Sequence, residues 1–181
     1  MAPLKILDVG TSQVQGERPT QEDRFQCAIP GQLSDPNLGL FEVYDGHAGS
    51  EVADHVKEHL TRLLEELLRK GDPTDYEGAL RTALKNEDSL LWEADMKRSG
   101  ATAVVALIDV RRSLLIGSDI GDSHMILAER TGKYDAPWGI RRLTTPHKPD
   151  VPSEKDRVED AGGRVTNDTG TARIGMPAHS R

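Results

Sequence analysis

Hydrophobic and polar positions alternate in three short stretches, and each apolar face ends in an aspartate. From Leu40 the chain reads Leu-Phe-Glu-Val-Tyr-Asp-Gly-His-Ala-Gly. With a strand period of two, Phe41, Val43 and Asp45 share one face and Leu40, Glu42 and Tyr44 the other. Asp23, Phe25, Cys27 and Ile29 alternate in the same way with Arg24, Gln26 and Ala28. Leu114, Ile116, Ser118, Ile120 and Asp122 form the third such face. The run from Ala101 to Ile108 is almost wholly apolar and predicts a central strand covered on both sides. Further strands are expected over Leu4–Val9 and His124–Glu129. Turns at 109–112 and 121–123 make a three-stranded hairpin meander the simplest topology for 101–129.

Apolar residues recur with a helical period from Ser50 to Lys70, where Val52, Val56, Leu60, Leu63, Leu64, Leu67 and Leu68 form one stripe. Ser50 is a candidate N-cap and Gly71 a candidate C′ residue, with Asp72-Pro73 preventing continuation. A second helix is expected over Thr74–Ala94, on Tyr76, Leu80, Ala83, Leu84, Leu91 and Ala94, although Gly78 and the polar run 86–88 interrupt it. A short third helix is expected over Pro152–Ala161, with Ser153 as N-cap and Gly162-Gly163 as the stop. Residues 10–21, 30–37 and 130–139 read as loops and 143–150 as an extended, proline-interrupted segment. Beyond Val165 the apolar pattern is lost.

The 181 residues suffice for one domain with a sizeable core. Twenty-three basic against 30 acidic side chains give a net charge of −7. That argues against nucleic-acid or anionic-membrane partners and suits a cleft that collects cations. The single cysteine, Cys27, excludes a disulfide framework and a cysteine zinc site, and points to a reducing compartment. The N-terminus shows neither a signal-peptide core nor an arginine-rich presequence. No apolar run approaches the ~20 residues of a membrane span.

Three strand-end aspartates, Asp23, Asp45 and Asp122, suggest a carboxylate cluster where the inner edges of the sheets converge. Such a cluster is costly unless a cation lies within it, and hard divalent cations take oxygen ligands of this kind. Glu22, beside Asp23, could add a ligand directly or through water. On spacing alone Asp45-Gly46 is also readable as a plain turn, and the aspartates as helix caps or arginine partners. Arg18 lies four residues before Glu22, about 13 Å in a regular strand. With Pro19 curving the loop it could hold a phosphate, or be a surface arginine. His47 is a general acid or a solvated loop histidine.

The motifs resemble the metal-dependent protein serine/threonine phosphatase family, type 2C. The matching segments, in order, are Arg18-Pro-Thr-Gln-Glu-Asp23, Val43-Tyr-Asp-Gly-His-Ala-Gly49, Ser99-Gly-Ala-Thr-Ala103, Ile120-Gly-Asp-Ser-His124 and Leu143-Thr-Thr-Pro-His-Lys-Pro149, continuing to Ala161-Gly-Gly-Arg-Val165. The resemblance implies an α+β fold, a sandwich of two antiparallel β-sheets flanked by α-helices, with the metal site between the sheets. It implies hydrolysis of phosphoserine and phosphothreonine in proteins by a metal-bridging hydroxide, with two Mg²⁺ or Mn²⁺ ions and a third, weaker one. Asp45 then matches the bridging carboxylate, Gly46 a carbonyl ligand, Glu22 and Asp23 the acidic metal shell, and Asp122 the ligand linked to the third metal. Arg18 matches the phosphate-holding arginine and His47 the proton donor to the leaving alcohol.

This chain departs from the family pattern at Tyr44, Ala48, Ala101, His124 and Pro146, where phenylalanine, glycine, serine or threonine, arginine and aspartate are usual. The family's two later metal-ligand aspartates, in Asp-Gly and Asp-Asn motifs, do not follow Asp122. The expectation is therefore the N-terminal two thirds of a catalytic domain over 1–175, with 176–181 as a divergent tail. Sheet strands would then be missing and sheet edges exposed. The alternative is a catalytically impaired phosphatase-like protein that binds partners without turnover. Phosphoprotein substrates, a monomer, no nucleic acid and no membrane are expected. The expected location is cytosol or nucleus, with mitochondria as a further site used by the family.

Overall fold

Alternating apolar positions become a sheet only when neighbouring strands complete the hydrogen-bond ladder. The computed structural model joins four strands in this way and describes residues 4–130, 132, 136–167, 170 and 172–175. The expected tail, 176–181, lies outside the described residues. β1 (Arg24–Ala28), β2 (Leu38–Tyr44), β5 (Ala103–Asp109) and β6 (Leu114–Ile120) form an antiparallel sheet in the order β1-β2-β5-β6. Between them in sequence come β3 (Gly46–His47), α1 (Glu51–Lys70), α2 (Tyr76–Glu93) and β4 (Gly100–Ala101). β3 pairs antiparallel with β4.

One face of the sheet carries the core. Leu40 and Tyr44 of β2 and Val105 and Leu107 of β5 are buried with Val56, Leu60 and Leu64 of α1 and Tyr76, Leu80 and Ala83 of α2. Leu60 is fully enclosed, and truncation to alanine at such a site costs about 2–5 kcal/mol. The β5–β6 hairpin is tied by Asp109. Its carboxylate accepts the amides of Arg111 and Arg112 at 2.9 and 3.0 Å and the Tyr76 hydroxyl at 2.8 Å. The opposite face holds Phe41 and Val43, of which Val43 is 51% exposed.

The α+β class with antiparallel sheets is as expected, but several elements differ. Leu4–Val9 forms no strand, because no described strand pairs with it, and Leu7 is 93% exposed. The meander ends after β6: Gly121, at φ +89°, turns the chain off the sheet. β7 (Ile126–Glu129) then pairs with β8 (Gly139–Arg142) as a separate two-stranded sheet. The Met125 amide donates to the Thr144 hydroxyl and the Leu143 amide to the Met125 carbonyl, which anchors that pair. Ser50 occupies the N-cap of α1, yet its hydroxyl donates to Asp54 rather than accepting a backbone amide. α2 starts at Tyr76, not Thr74, because the Asp75 carboxylate caps it by accepting the Gly78 amide. Gly71 ends α1 with φ −105°, outside the left-handed region.

The chain divides into two compact units, the second beginning at Thr145. It holds α3 (Pro152–Asp160) and an antiparallel hairpin of β9 (Arg164–Thr166) and β10 (Arg173–Gly175). The N-cap of α3 is Val151, not Ser153, because Pro152 supplies the first helical position. Buried Glu154 is held by Arg157 through two hydrogen bonds of 2.6 and 2.7 Å.

Candidate active site

Strand register brings the candidate residues to one end of the sheet. Arg24 faces Tyr44, so one step further Asp23 stands opposite Asp45. Val43 faces Val104, which sets Asp45 against Thr102, and Ala103 faces Ile120, which sets Thr102 against Gly121. Asp23, Asp45, Thr102 and Gly121 therefore form a row across the sheet, with Asp122 one residue beyond.

Asp45 is fixed by its backbone. The Thr102 amide donates to the Asp45 carbonyl at 2.9 Å, and the Asp45 amide donates to the Thr102 hydroxyl at 3.2 Å. That hydroxyl also meets the Ser123 hydroxyl at 2.5 Å, tying Asp45 to the turn that carries Asp122. Gly46 has no room for a side chain: a Cβ would lie 2.3 Å from the Glu22 carbonyl oxygen. His47 packs its ring on Gly100, where a Cβ would lie 2.6 Å from Nε2. Ala48, at φ +58°, occupies the left-handed region. Glu22 holds the same turn, its Oε1 accepting the Gly49 amide at 3.1 Å and the Thr20 hydroxyl at 3.0 Å.

Arg24 organises the segment that carries Glu22 and Asp23. Its guanidinium grips Asp54 of α1 through Nε at 2.5 Å and Nη2 at 3.1 Å, while Nη1 donates to the carbonyls of Gln21 and Asp23. The Gln13 side-chain amide donates to the Asp23 carbonyl at 2.6 Å. These positioning residues were not singled out from the sequence. Counting register from Asp45 would have found Thr102, within the Ser99–Ala103 motif. Arg24 and Gln13 carried no signal, because their partners are backbone carbonyls and, for Arg24, a carboxylate 30 residues away on α1.

The electrostatics show which groups share the site. Partial burial pushes the Asp45 carboxyl above its ordinary value, and the carboxylates of Asp23 and Asp122 add to the rise. His47 and Arg18 act in the opposite sense. All four groups are thus within electrostatic reach of Asp45. Arg18, Asp45, His47 and Asp122 are exposed, whereas Glu22 and Asp23 are half-buried. A cleft of about 610 Å³ opens beside Asp23 and Asp45. Phe41, Val43, Val104 and Ala106 line it from the sheet, and Thr11–Gln13 and Ser123–Ile126 from its flanks.

This donor set fits a hard divalent cation. Carboxylates crowd Asp45 and raise the cost of its charge, which a cation would offset. The close approach of the Gly46 backbone is of the kind that lets a carbonyl reach an ion. Among the described residues, the one set of three possible metal ligands within 4.8 Å of one another is His55, His59 and Glu87, on the helices.

The model for the family Protein phosphatase 2C matches residues 7–181. A probable protein phosphatase 2C of Arabidopsis thaliana is 33% identical over 169 residues, covering 92% of this chain and 44% of that protein. A solved structure of a C. elegans sex determining protein superposes with a TM-score of 0.77 at 31% identity, covering 90% of this chain and 40% of that one. The serine-threonine phosphatase 2C of Toxoplasma gondii shares the fold, with a TM-score of 0.66 at 23% identity, over 87% of this chain and 56% of that one. This chain spans less than two thirds of the length of each.

Proposed function

The chain belongs to the protein phosphatase 2C family, a metal-dependent family of protein serine/threonine phosphatases, and on that premise we propose that it hydrolyses phosphoserine and phosphothreonine in proteins. The observation that carries the reading is the electrostatic coupling of Asp45 to Asp23, Asp122, Arg18 and His47 at one sheet end. The resemblance of the motifs assigns these five residues to the same site. Asp45 and the Gly46 carbonyl would hold Mg²⁺ or Mn²⁺, with Glu22, Asp23 and Asp122 as direct or water-mediated ligands. The bound ions would lower the pKa of a water molecule and neutralise charge on the phosphoryl oxygens.

Arg18 receives the substrate phosphate, its planar fork donating to two oxygens at once. His47 would serve as the general acid, giving a proton to the seryl or threonyl oxygen as the phosphorus–oxygen bond breaks. Water supplies the new oxygen on phosphorus, and the products are inorganic phosphate and the free hydroxyl. Phe41 and Val43 keep one wall of the cleft apolar, which strengthens each charge interaction there. The protein is proposed to act as a monomer in cytosol or nucleus.

The test is Mn²⁺-dependent release of phosphate from a phosphothreonine peptide by this chain and by Asp45→Ala. Metal-dependent turnover by the parent and none by the variant supports the reading. Equal rates would refute it.

A further inference from the structure

A second set of metal-ligating side chains lies on the helical side of the sheet. His55 and His59 stand one turn apart on α1, and Glu87 reaches them from α2. The rings stack with centroids 3.9 Å apart and an interplanar angle of 21°. His59 Nδ1 lies 2.7 Å from the His55 carbonyl oxygen. A carbonyl only accepts, so Nδ1 carries a proton, and in the neutral imidazole Nε2 then holds the lone pair. Backbone anchoring of the distal nitrogen is the usual support for a metal-bound histidine.

Glu87 is the independent observation. It is 2% exposed, and its Oε2 is buried with no hydrogen-bond partner. Its Oε1 meets His55 Nδ1 in a hydrogen bond of 2.6 Å. A carboxylate half-satisfied in a core interior is expensive unless it neutralises something. A protonated His55 is one such partner, and a divalent cation is another.

We propose that His55, His59 and Glu87 form a binding site for a borderline divalent cation of the Zn²⁺ class. Two imidazoles and one carboxylate are a donor set suited to that class rather than to Mg²⁺. One possible ligand atom from each residue lies within 4.8 Å of the others, so side-chain adjustments of about 1 Å close them on an ion with ~2 Å bonds. His55 and His59 are half-buried, so solvent reaches the ring edges and water completes the coordination. Binding crosslinks α1 to α2, with the ion taking the place of the direct hydrogen bond between His55 and Glu87.

The test is titration of Co²⁺ and Zn²⁺ into the Asp45→Asn protein, in which the sheet-end carboxylate cluster is disabled. One equivalent of Co²⁺ should bind with a visible d–d absorption band. Zn²⁺ should displace it, read as loss of that band and as a calorimetric binding isotherm of one ion per chain. His59→Asn added to that background should weaken binding at least tenfold. His59 is partly exposed, so circular dichroism of this variant should match the parent even if Glu87→Gln fails to fold. Absence of Zn²⁺ binding up to millimolar concentration in Asp45→Asn, or an unchanged affinity in the His59→Asn variant, would overturn the proposal.

Discussion

Asp45 and Thr102 hold each other by two hydrogen bonds: the Thr102 amide donates to the Asp45 carbonyl at 2.9 Å, and the Asp45 amide donates to the Thr102 hydroxyl at 3.2 Å. The second bond is unusual for a strand end, because a side chain takes the place that the ladder would fill. Thr102→Val keeps the shape and removes the acceptor. The Asp45 amide and the Ser123 hydroxyl then each lose a partner. A loss of about 1–2 kcal/mol in urea unfolding is expected. Mn²⁺ affinity should fall several-fold, and Thr102→Ser should restore most of both.

The carboxylates at the sheet end set stability against function. The Asp45 carboxyl is raised by burial and by Asp23 and Asp122. A raised carboxyl favours the folded state while protonated, and that contribution is lost as pH rises through the folded value. Asp45→Asn should therefore raise the melting temperature of the metal-free protein at pH 7.5. Most of Asp45 faces solvent, so the gain is modest. Saturating Mn²⁺ should raise the melting temperature of the parent only, because binding to the folded state alone stabilises it. A larger Mn²⁺ shift in the variant would contradict this assignment of Asp45.

Glu42 gives the fold its own pH dependence. It is 1% exposed on the core face of β2, with Thr61 donating to Oε2 at 3.0 Å and Oε1 without a partner. Burial raises its carboxyl from 4.5 to about 7, only partly offset by Thr61 and Tyr44. Glu87 lies within electrostatic range of Tyr44, and the Cys27 thiol feels the Glu42 charge. The folded state thus binds the extra proton between these values, and stability falls as pH rises from about 4.5 to about 7. The loss amounts to about 3–4 kcal/mol at most, at 1.36 kcal/mol per unit. Glu42→Gln should flatten the profile, matching the parent near pH 4 and exceeding it at pH 8. Chemical denaturation at the two pH values measures the difference.

How far the chain could be read without its structure depended on what each signal measures. Periodicity identified α1, because one buried face repeats over many residues, and it found the alternation that leads to Asp23, Asp45 and Asp122, although the core of β2 lies on the other face, with Leu40 and Tyr44. It misjudged Leu4–Val9, since alternation says that a segment can form a strand and not that a partner exists. β8, β9 and β10 escaped notice because they are only 4, 3 and 3 residues long. In β8, Gly139–Arg142, every residue is exposed and leaves no apolar alternation. Glu87 sat within a polar run that seemed to weaken α2, yet it is among the most buried residues of the chain. Its partner His55 stands on another element, and no local pattern reports such a pairing.

Two small residues in the same turn should respond in opposite ways to the same methyl group. Ala48 sits at φ +58°, where a Cβ crowds the backbone at a cost of about 1–2 kcal/mol. Ala48→Gly removes that strain and loses some of the gain to greater freedom of the unfolded chain. A net stabilisation of about 0.5–1 kcal/mol is expected. Gly46→Ala places a Cβ 2.3 Å from the Glu22 carbonyl oxygen. That oxygen belongs to backbone on the segment gripped by Arg24, so it cannot step aside as a flexible side chain would. The expected loss is about 1–3 kcal/mol. Separation of Glu22 from Asp45 should accompany it, read as weakened Mn²⁺ binding. Urea unfolding of the two variants beside the parent decides the matter. If both shift stability in the same direction, the turn does not have the backbone geometry described.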